Sequence, residues 1–282
     1  VIHTYENNPW EHAVNYQATL KGHDSTGFLH CAVLPSHLKN YIAEEEIGLR
    51  PSPKRIVCTG DLARDVFLSL GAHDSGQVFS SCDLRGTIPR DRHPREIHRN
   101  KILKALVVLE GLPSMADFIR FLDEAARKYS EIVFSVRAHP ALPLKTLVQK
   151  IPIDFHPNGP LIENCEINLL SEIEAADVVI YQGTTVAMTS VYLGTPVIKI
   201  VGREPVEDDP LFQTAHLKWR AQNLKELGEV FGEIENLGQN IFEQERDAAR
   251  KYISEYLAAP TEKNMSVFLK TGGVYLESIS SI

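Results

Sequence analysis

The sequence predicts an α/β protein made of two Rossmann-like domains facing a cleft. Three observations lead there. Short apolar runs alternate with helical patterns along most of the 282 residues, as they do where parallel strands are covered by helices. A polar, basic stretch from Arg85 to Lys104 separates two such blocks. The segment from Ala176 to Val201, AADVVIYQGTTVAMTSVYLGTPVIKIV, reads as strand, turn, helix and strand. A turn of that kind lies at the carboxyl edge of a parallel sheet, where such folds bind ligands.

The elements follow in order. In the first block, Ile2–Tyr5 reads as a strand and Glu11–Leu20 as a helix opened by Pro9. Gly27–Leu34 is a strand, Ser36–Glu45 a helix, Arg55–Thr59 a strand, Leu62–Leu70 a helix and Gln77–Ser80 a short strand. The second block opens with the strand Ala105–Leu109. Met115, Phe118, Ile119, Leu122, Ala125, Ala126 and Tyr129 then repeat at helical spacing on one apolar face. Ser114 is the expected cap, with Asp117 three residues on. Glu131–Val136 is a strand and Leu142–Gln149 a helix. Val178–Tyr181, Val186–Tyr192 and Val197–Val201 form the next strand, helix and strand. The tail predicts helices over Leu224–Ile234 and Ile241–Leu257. The resulting divisions are 1–100 with the basic linker 85–104, then 101–240, then a C-terminal helix and tail over 241–282. The first residues enter a strand directly and without an initiator methionine. That predicts a first domain truncated at its N-terminus.

Composition narrows the function. A net charge of −8 argues against a general nucleic-acid binder, which is usually basic. Cys31, Cys58, Cys82 and Cys165 stand apart with no CxxC spacing, which suits a reducing, cytoplasmic setting and predicts no metal. No apolar run reaches the ~18 residues of a membrane span. The arginines Arg85, Arg90, Arg92, Arg95 and Arg99 make the linker basic; it is either solvated or faces an anionic donor, a lipid phosphate or the inner membrane surface.

Three loops should share one edge of the second sheet, because each follows a strand. They are Glu110-Gly111, Arg137-Ala138-His139-Pro140, and Gly183-Thr184-Thr185. Together they offer a carboxylate, a cation, an imidazole, free amides at a helix start and two hydroxyls, a set suited to a nucleotide phosphate and a sugar. His139 is a candidate proton donor or phosphate ligand, or else a cap for the next helix. Glu110 is a candidate for ribose or base hydrogen bonds or for a catalytic base, or else a solvated loop acid. In the first block, Glu6 follows a strand and is placed to deprotonate an acceptor hydroxyl. Trp10 and Glu11 flank it as acceptor-side candidates, although Trp10 also fits a packing residue and Glu11 a first-turn helix acid. His23, Asp24 and Ser25 form a polar loop that could line the same cleft. Asp177 reads as a cap or turn. Glu207, Asp208 and Asp209 form an acidic run that could hold a divalent ion but reads first as solvated surface.

The Glu-Gly, Arg-x-His-Pro and Gly-Thr-Thr loops, in that order on successive strands, resemble bacterial GT-B glycosyltransferases that use CMP-activated acidic sugars, the polysialyltransferase and Kdo-transferase kind. There an acidic-acidic-Gly motif, a His-Pro motif and a Ser/Thr pair surround the CMP donor; here Leu109 replaces the first acid and Thr184-Thr185 forms the pair. TYENNPWEHAV, GDLARDVFLSLG with SCDLR, and YQGTTVAMTSVYLGTPVI resemble bacterial surface carbohydrate biosynthesis proteins over about residues 4–202. The resemblance implies a cytoplasmic glycosyltransferase that moves a sugar from a CMP donor onto a saccharide or lipid-linked acceptor, with no cofactor beyond that donor. It implies His139 and Glu110 as catalytic groups, beside Glu6 from its place after the first strand, and Gly111, Arg137, Gly183, Thr184 and Thr185 as donor ligands. A nucleotide-sugar epimerase of related architecture, or a non-catalytic nucleotide-sugar-binding subunit, are the rival readings.

Overall fold

The computed structural model describes residues 1–149, 161–163, 168–202 and 208–269. Cys165 and Glu207 therefore lie outside the described residues. The chain divides into two compact units. The first is Val1–Ile88 with the chain from Ile253 onward; the second is Pro89–Tyr252.

The first unit carries β1 (Ile2–Thr4), α1 (Pro9–Leu20), β2 (Thr26–Leu29), β3 (Arg55–Cys58), α2 (Asp61–Leu68) and β4 (Val78–Ser80). The four strands form one parallel sheet in the order β1-β2-β3-β4. The helix expected over Ser36–Glu45 is absent. Two single 3₁₀ turns, Leu38–Asn40 and Glu44–Glu46, stand there instead. Ile42 explains the break, because it bridges Gly71 and exchanges backbone bonds with Leu70 and Ala72, which requires an extended chain. The strand expected over Gly27–Leu34 stops at Leu29. Beyond it, the amide and carbonyl of Val33 both bond the Tyr256 hydroxyl, at 2.9 and 2.6 Å.

The second unit carries β5 (Lys104–Val108), α3 (Met115–Lys128), β6 (Val133–Arg137), α4 (Leu144–Val148), β7 (Leu161–Glu163) and α5 (Leu169–Ala175). Then come β8 (Val178–Tyr181), α6 (Val186–Tyr192), β9 (Val197–Ile200), β10 (Lys218–Ala221), α7 (Leu224–Glu235) and α8 (Gln239–Tyr256). The boundary between the units falls within α8. A last helix, α9 (Glu262–Leu269), belongs to the first unit. All pairings in the second sheet are parallel, in the order β10-β9-β8-β5-β6-β7. Counted from β5, that is the doubly wound 3-2-1-4-5-6 order, with its topological switch between β5 and β8. Leu106, Val107, Val179, Ile180 and Ile198 are buried at its centre. The apolar face of α3, Phe118, Ile119 and Leu122, packs into the same core.

The basic stretch before β5 is neither a loose linker nor a free cationic face. Arg95 donates to the carbonyls of Glu174, Ala176 and Asp177, at 3.3, 2.5 and 3.5 Å. Arg99 reaches the carbonyls of Glu174 and Ala175 and the Asp177 carboxylate, at 3.1, 2.8 and 2.8 Å. These two guanidiniums close the C-terminus of α5, whose last carbonyls have no partner within the helix. Burial, then the charge of Arg99, brings Arg95 down to about 10, so it remains a cation at neutral pH. Asp177 sits at the amino end of β8 and accepts the amides of Leu103 and Lys104, at 2.8 and 2.9 Å. It anchors the start of β5. Among the described residues, no helix is long and apolar enough to cross a membrane.

Candidate functional site

The topological switch puts the loops after β5 and β8 side by side, and the loop after β6 is next along the same edge. The side chains follow. A Cβ built on Gly111 would lie 2.9 Å from His139 Nδ1, so the imidazole rests against bare backbone. A Cβ on Gly183 would lie 3.1 Å from both Glu110 carboxylate oxygens and 2.5 Å from the Asp208 carbonyl. The three loops predicted to share an edge are therefore in contact through two glycines, each a place where backbone must approach closely.

Glu110 is half-buried, and its carboxyl is raised above the ordinary carboxylate range. Burial is the main cause, and the charge of Asp208 adds to it. The Gly183 backbone, Lys199 and His139 pull the other way. Lys199 lies on β9, is 3% exposed, and donates to the Gln182 carbonyl at 2.7 Å. It fixes the turn that carries Gly183. His139 is exposed, and its Nδ1 accepts the Ala141 amide at 3.1 Å. In the neutral ring the proton then sits on Nε2, which is left to donate.

Two expectations for this edge need correction. Helix α6 has seven residues, and its first amides are already engaged: Val186 with Thr184 Oγ1, Ala187 with the Thr184 carbonyl, Met188 with the Thr185 carbonyl. The amides of Val186, Ala187 and Met188 are therefore not free for an anion, and the Gly183 amide serves Glu110. What remains is hydroxyl chemistry. Thr184 uses a lone pair at 3.3 Å and keeps its proton to donate. Thr185 is exposed, and its hydroxyl has no partner among the described residues. Arg137 points elsewhere: Nη1 meets Glu172 Oε2 at 2.5 Å, and that carboxylate is 3% exposed. Its first task is to neutralise a buried acid on α5, so it is a weak candidate for a donor phosphate.

The acidic run after β9 is not all surface. Asp209 is buried and accepts from Tyr181 Oη at 2.9 Å, from the Leu211 amide at 3.0 Å and from Lys218 Nζ at 2.9 Å. Burial pushes its carboxyl up, but Lys218 and the amide outweigh that and leave it below the ordinary range. Lys199 was invisible in the sequence because it reads as a polar interruption of a short strand, and Lys218 because it opens a strand with no apolar run. Their signal is a lysine flanked by apolar residues.

In the first unit, Glu6 follows β1 and meets His30 and Cys31, which follow the adjacent β2. Lys39 Nζ lies 2.8 Å from Oε2, Cys31 Sγ 3.1 Å from Oε1, and His30 Nε2 3.6 Å from Oε1. The Lys39 hydrogen bond is the main cause that holds the Glu6 carboxyl down to about 2. A carboxylate that acidic is a poor lone base. Glu11 is fully buried; its Oε2 accepts the amides of Glu6 and Asn8 at 2.9 and 2.8 Å. It is the reciprocal half of the box that starts α1, and its acceptor-side reading falls. Trp10 is 53% exposed beside the His3 ring. His23, Asp24 and Ser25 precede β2, so they lie at the sheet's amino edge, away from Glu6. A recess of about 540 Å³ lined by Val14, Gln17, Lys21 and His23 includes none of Glu6, Trp10 and Glu11 and is largely open surface.

The fold is GT-B-like, with parallel sheets in two α/β units, and is shared by glycosyltransferases and nucleotide-sugar epimerases. The structure of TarM matches with a TM-score of 0.54 at 11% identity, covering 88% of this chain and 50% of TarM. The kitacinnamycin glycotransferase matches with a TM-score of 0.55 at 12% identity, covering 92% of this chain and 73% of its own. The UDP-GlcNAc 2-epimerase from Neisseria meningitidis, bound to UDP-GlcNAc, matches with a TM-score of 0.50 at 13% identity, covering 86% and 72%. The chain thus spans half of TarM's length. No protein-family model matches the sequence, and no curated protein matches it.

Proposed function

We propose that this chain is a glycosyltransferase that holds a nucleotide-sugar donor at the switch-point edge of its second unit. The observation that carries the reading is the meeting of Glu110, His139 and Gly183 across three loops. The roles follow from charge. A carboxylate repels phosphate, so Glu110 accepts hydrogen bonds from ribose or base hydroxyl and amino groups. His139 donates through Nε2 to the leaving phosphate, and Thr184 and Thr185 add hydroxyl donors. Gly111 and Gly183 keep the backbone clear for this packing. Arg137 supports the loop from behind through Glu172. Stabilising the departing phosphate is the main chemical work of such a site. On the acceptor side, Glu6 serves to orient a hydroxyl rather than to deprotonate it alone, with Trp10 as an exposed surface for a sugar ring.

The finer reading is a CMP-activated acidic sugar as donor and a saccharide or lipid-linked saccharide as acceptor, in surface polysaccharide assembly. It rests on the order of the three loops. An epimerase acting on a UDP-sugar is the second reading, favoured by the fold of the Neisseria enzyme. Calorimetry with CMP, UDP and GDP, followed by product analysis with the matching donor sugars, separates them. CMP binding with sugar transfer supports the full proposal. Tight UDP binding with an epimerised, untransferred sugar supports the rival, and absence of all three heats removes the donor site. His139→Ala should lower turnover ~10²–10⁴-fold with little change in melting temperature. Unchanged turnover would assign the ring to the Ala141 turn alone.

A further inference from the structure

The carboxyl edge of the first sheet gathers three metal-ligating side chains from two hydrogen-bonded strands. Glu6 Oε1 lies 3.1 Å from Cys31 Sγ and 3.6 Å from His30 Nε2. All three ligand atoms fall within 4.8 Å of one another. In a tetrahedral site with bonds of about 2.0–2.3 Å, neighbouring ligand atoms stand roughly 3.3–3.8 Å apart. The His30 edge of 3.6 Å falls within that spacing and the Cys31 edge of 3.1 Å just short of it, so small side-chain rotations admit an ion.

The surroundings already supply the charge an ion would bring. Lys39 Nζ sits 2.8 Å from the other Glu6 oxygen, and Arg85 Nη1 sits 3.6 Å from Cys31 Sγ. The Lys39 side chain is 41% exposed, so its ammonium can withdraw into water. His30 Nδ1 is buried with no hydrogen-bond partner among the described residues. The ring's polar outlet is Nε2, which faces Glu6. Cys31 and Glu6 are only partly buried, which leaves a path for entry.

We propose that Glu6, His30 and Cys31 bind one divalent transition-metal ion of the zinc type, with the fourth position open to water. A sulfur, a ring nitrogen and a carboxylate oxygen select such an ion over magnesium or calcium, which take oxygen ligands. On binding, the Cys31 proton passes to solvent, the thiolate ligates, and Lys39 releases Glu6. The cluster lies wholly within the first unit, so the donor site can fail while this site stands.

The test is a cobalt(II) titration of the chelator-stripped full chain in a non-thiol reductant, followed by displacement with zinc. The parent should take up one ion with a thiolate-to-cobalt charge-transfer band. Cys31→Ser should abolish the band. Glu6→Gln and His30→Gln should weaken binding by at least the ~10–100-fold that loss of a supporting group costs. Lys39→Ala should tighten it, because a competing ammonium is gone. Circular dichroism without metal checks each fold; should Cys31→Ser not fold, the parent's band and the Lys39→Ala affinity decide. No band in the parent, a band that survives Cys31→Ser, or weaker binding by Lys39→Ala would overturn the site.

Discussion

Gly111 and Gly183 both leave room for a neighbour, but the neighbours differ in what they can yield. A methyl on Gly111 meets the His139 ring, which can swing outward. A methyl on Gly183 meets the Asp208 carbonyl, which cannot move without its backbone. Gly111→Ala should therefore keep its melting temperature and lose donor affinity, while Gly183→Ala should melt lower as well. Thermal melts beside calorimetry check the pair, and equal melting temperatures would remove the distinction. Glu110 carries a different conflict. Its folded carboxyl is raised by burial and by Asp208, so its stabilising share is present below the unfolded value of about 4.3 and lost as pH rises through the folded value. Glu110→Gln should raise the melting temperature at neutral pH and lower donor affinity. A melting temperature that falls would show that Lys199 needs the charge. Glu6 has the opposite sign. Lys39 holds it down to about 2, so the pair's contribution is present above the unfolded value of about 4.3 and fades as pH falls toward about 2. With chelator present, the stability gap between the parent and Lys39→Ala should hold from pH 7 to 5 and close as pH falls from about 4 toward about 2. A gap independent of pH would mean that Lys39 acts by packing.

Helix α5 shows how an element can be held by groups that looked like ligands. Arg95 and Arg99 close its end, and Arg137 neutralises Glu172 along its length. Removing one partner of a pair whose acid is buried costs about 3–5 kcal/mol. Arg137→Ala should lower stability on that scale, measured by urea unfolding, and a loss below about 1 kcal/mol would return Arg137 to the donor phosphate. The strands of the switch point were legible because β8 and β9 are buried on both faces and read as apolar runs bounded by Gly and Pro. The order of the three loops was legible for the same reason. Much of the rest was not. β10 carries Lys218, Trp219 and Arg220 in four residues and has no apolar run to read. The helix expected after Pro35 failed because Ile42 bridges a residue far along the chain. The Glu6 and Cys31 contact joins positions 25 residues apart, with no motif to announce it, and arises from strand pairing alone.

At the scale of the molecule, the first unit is discontinuous. Its core holds Phe268 against Phe28 and Val57. Thr59 Oγ1 bonds the Tyr256 carbonyl at 3.0 Å, and Asp83 and Ala258 share a backbone bond of 2.9 Å. The second unit, Pro89–Tyr252, is one unbroken stretch. Limited proteolysis of a chain cut after Tyr252 should therefore degrade residues 1–88 and leave a resistant core that still binds the donor nucleotide. Protection of both parts would show that the tail is dispensable. The same discontinuity sets an order in time. A ribosome delivers β1 to β4 first, yet the hydroxyl that holds Val33 and the ring that fills their core come after the whole of the second unit. The segment made first is the one that must wait, its sheet exposed, until the end of α8 and then α9 have left the tunnel.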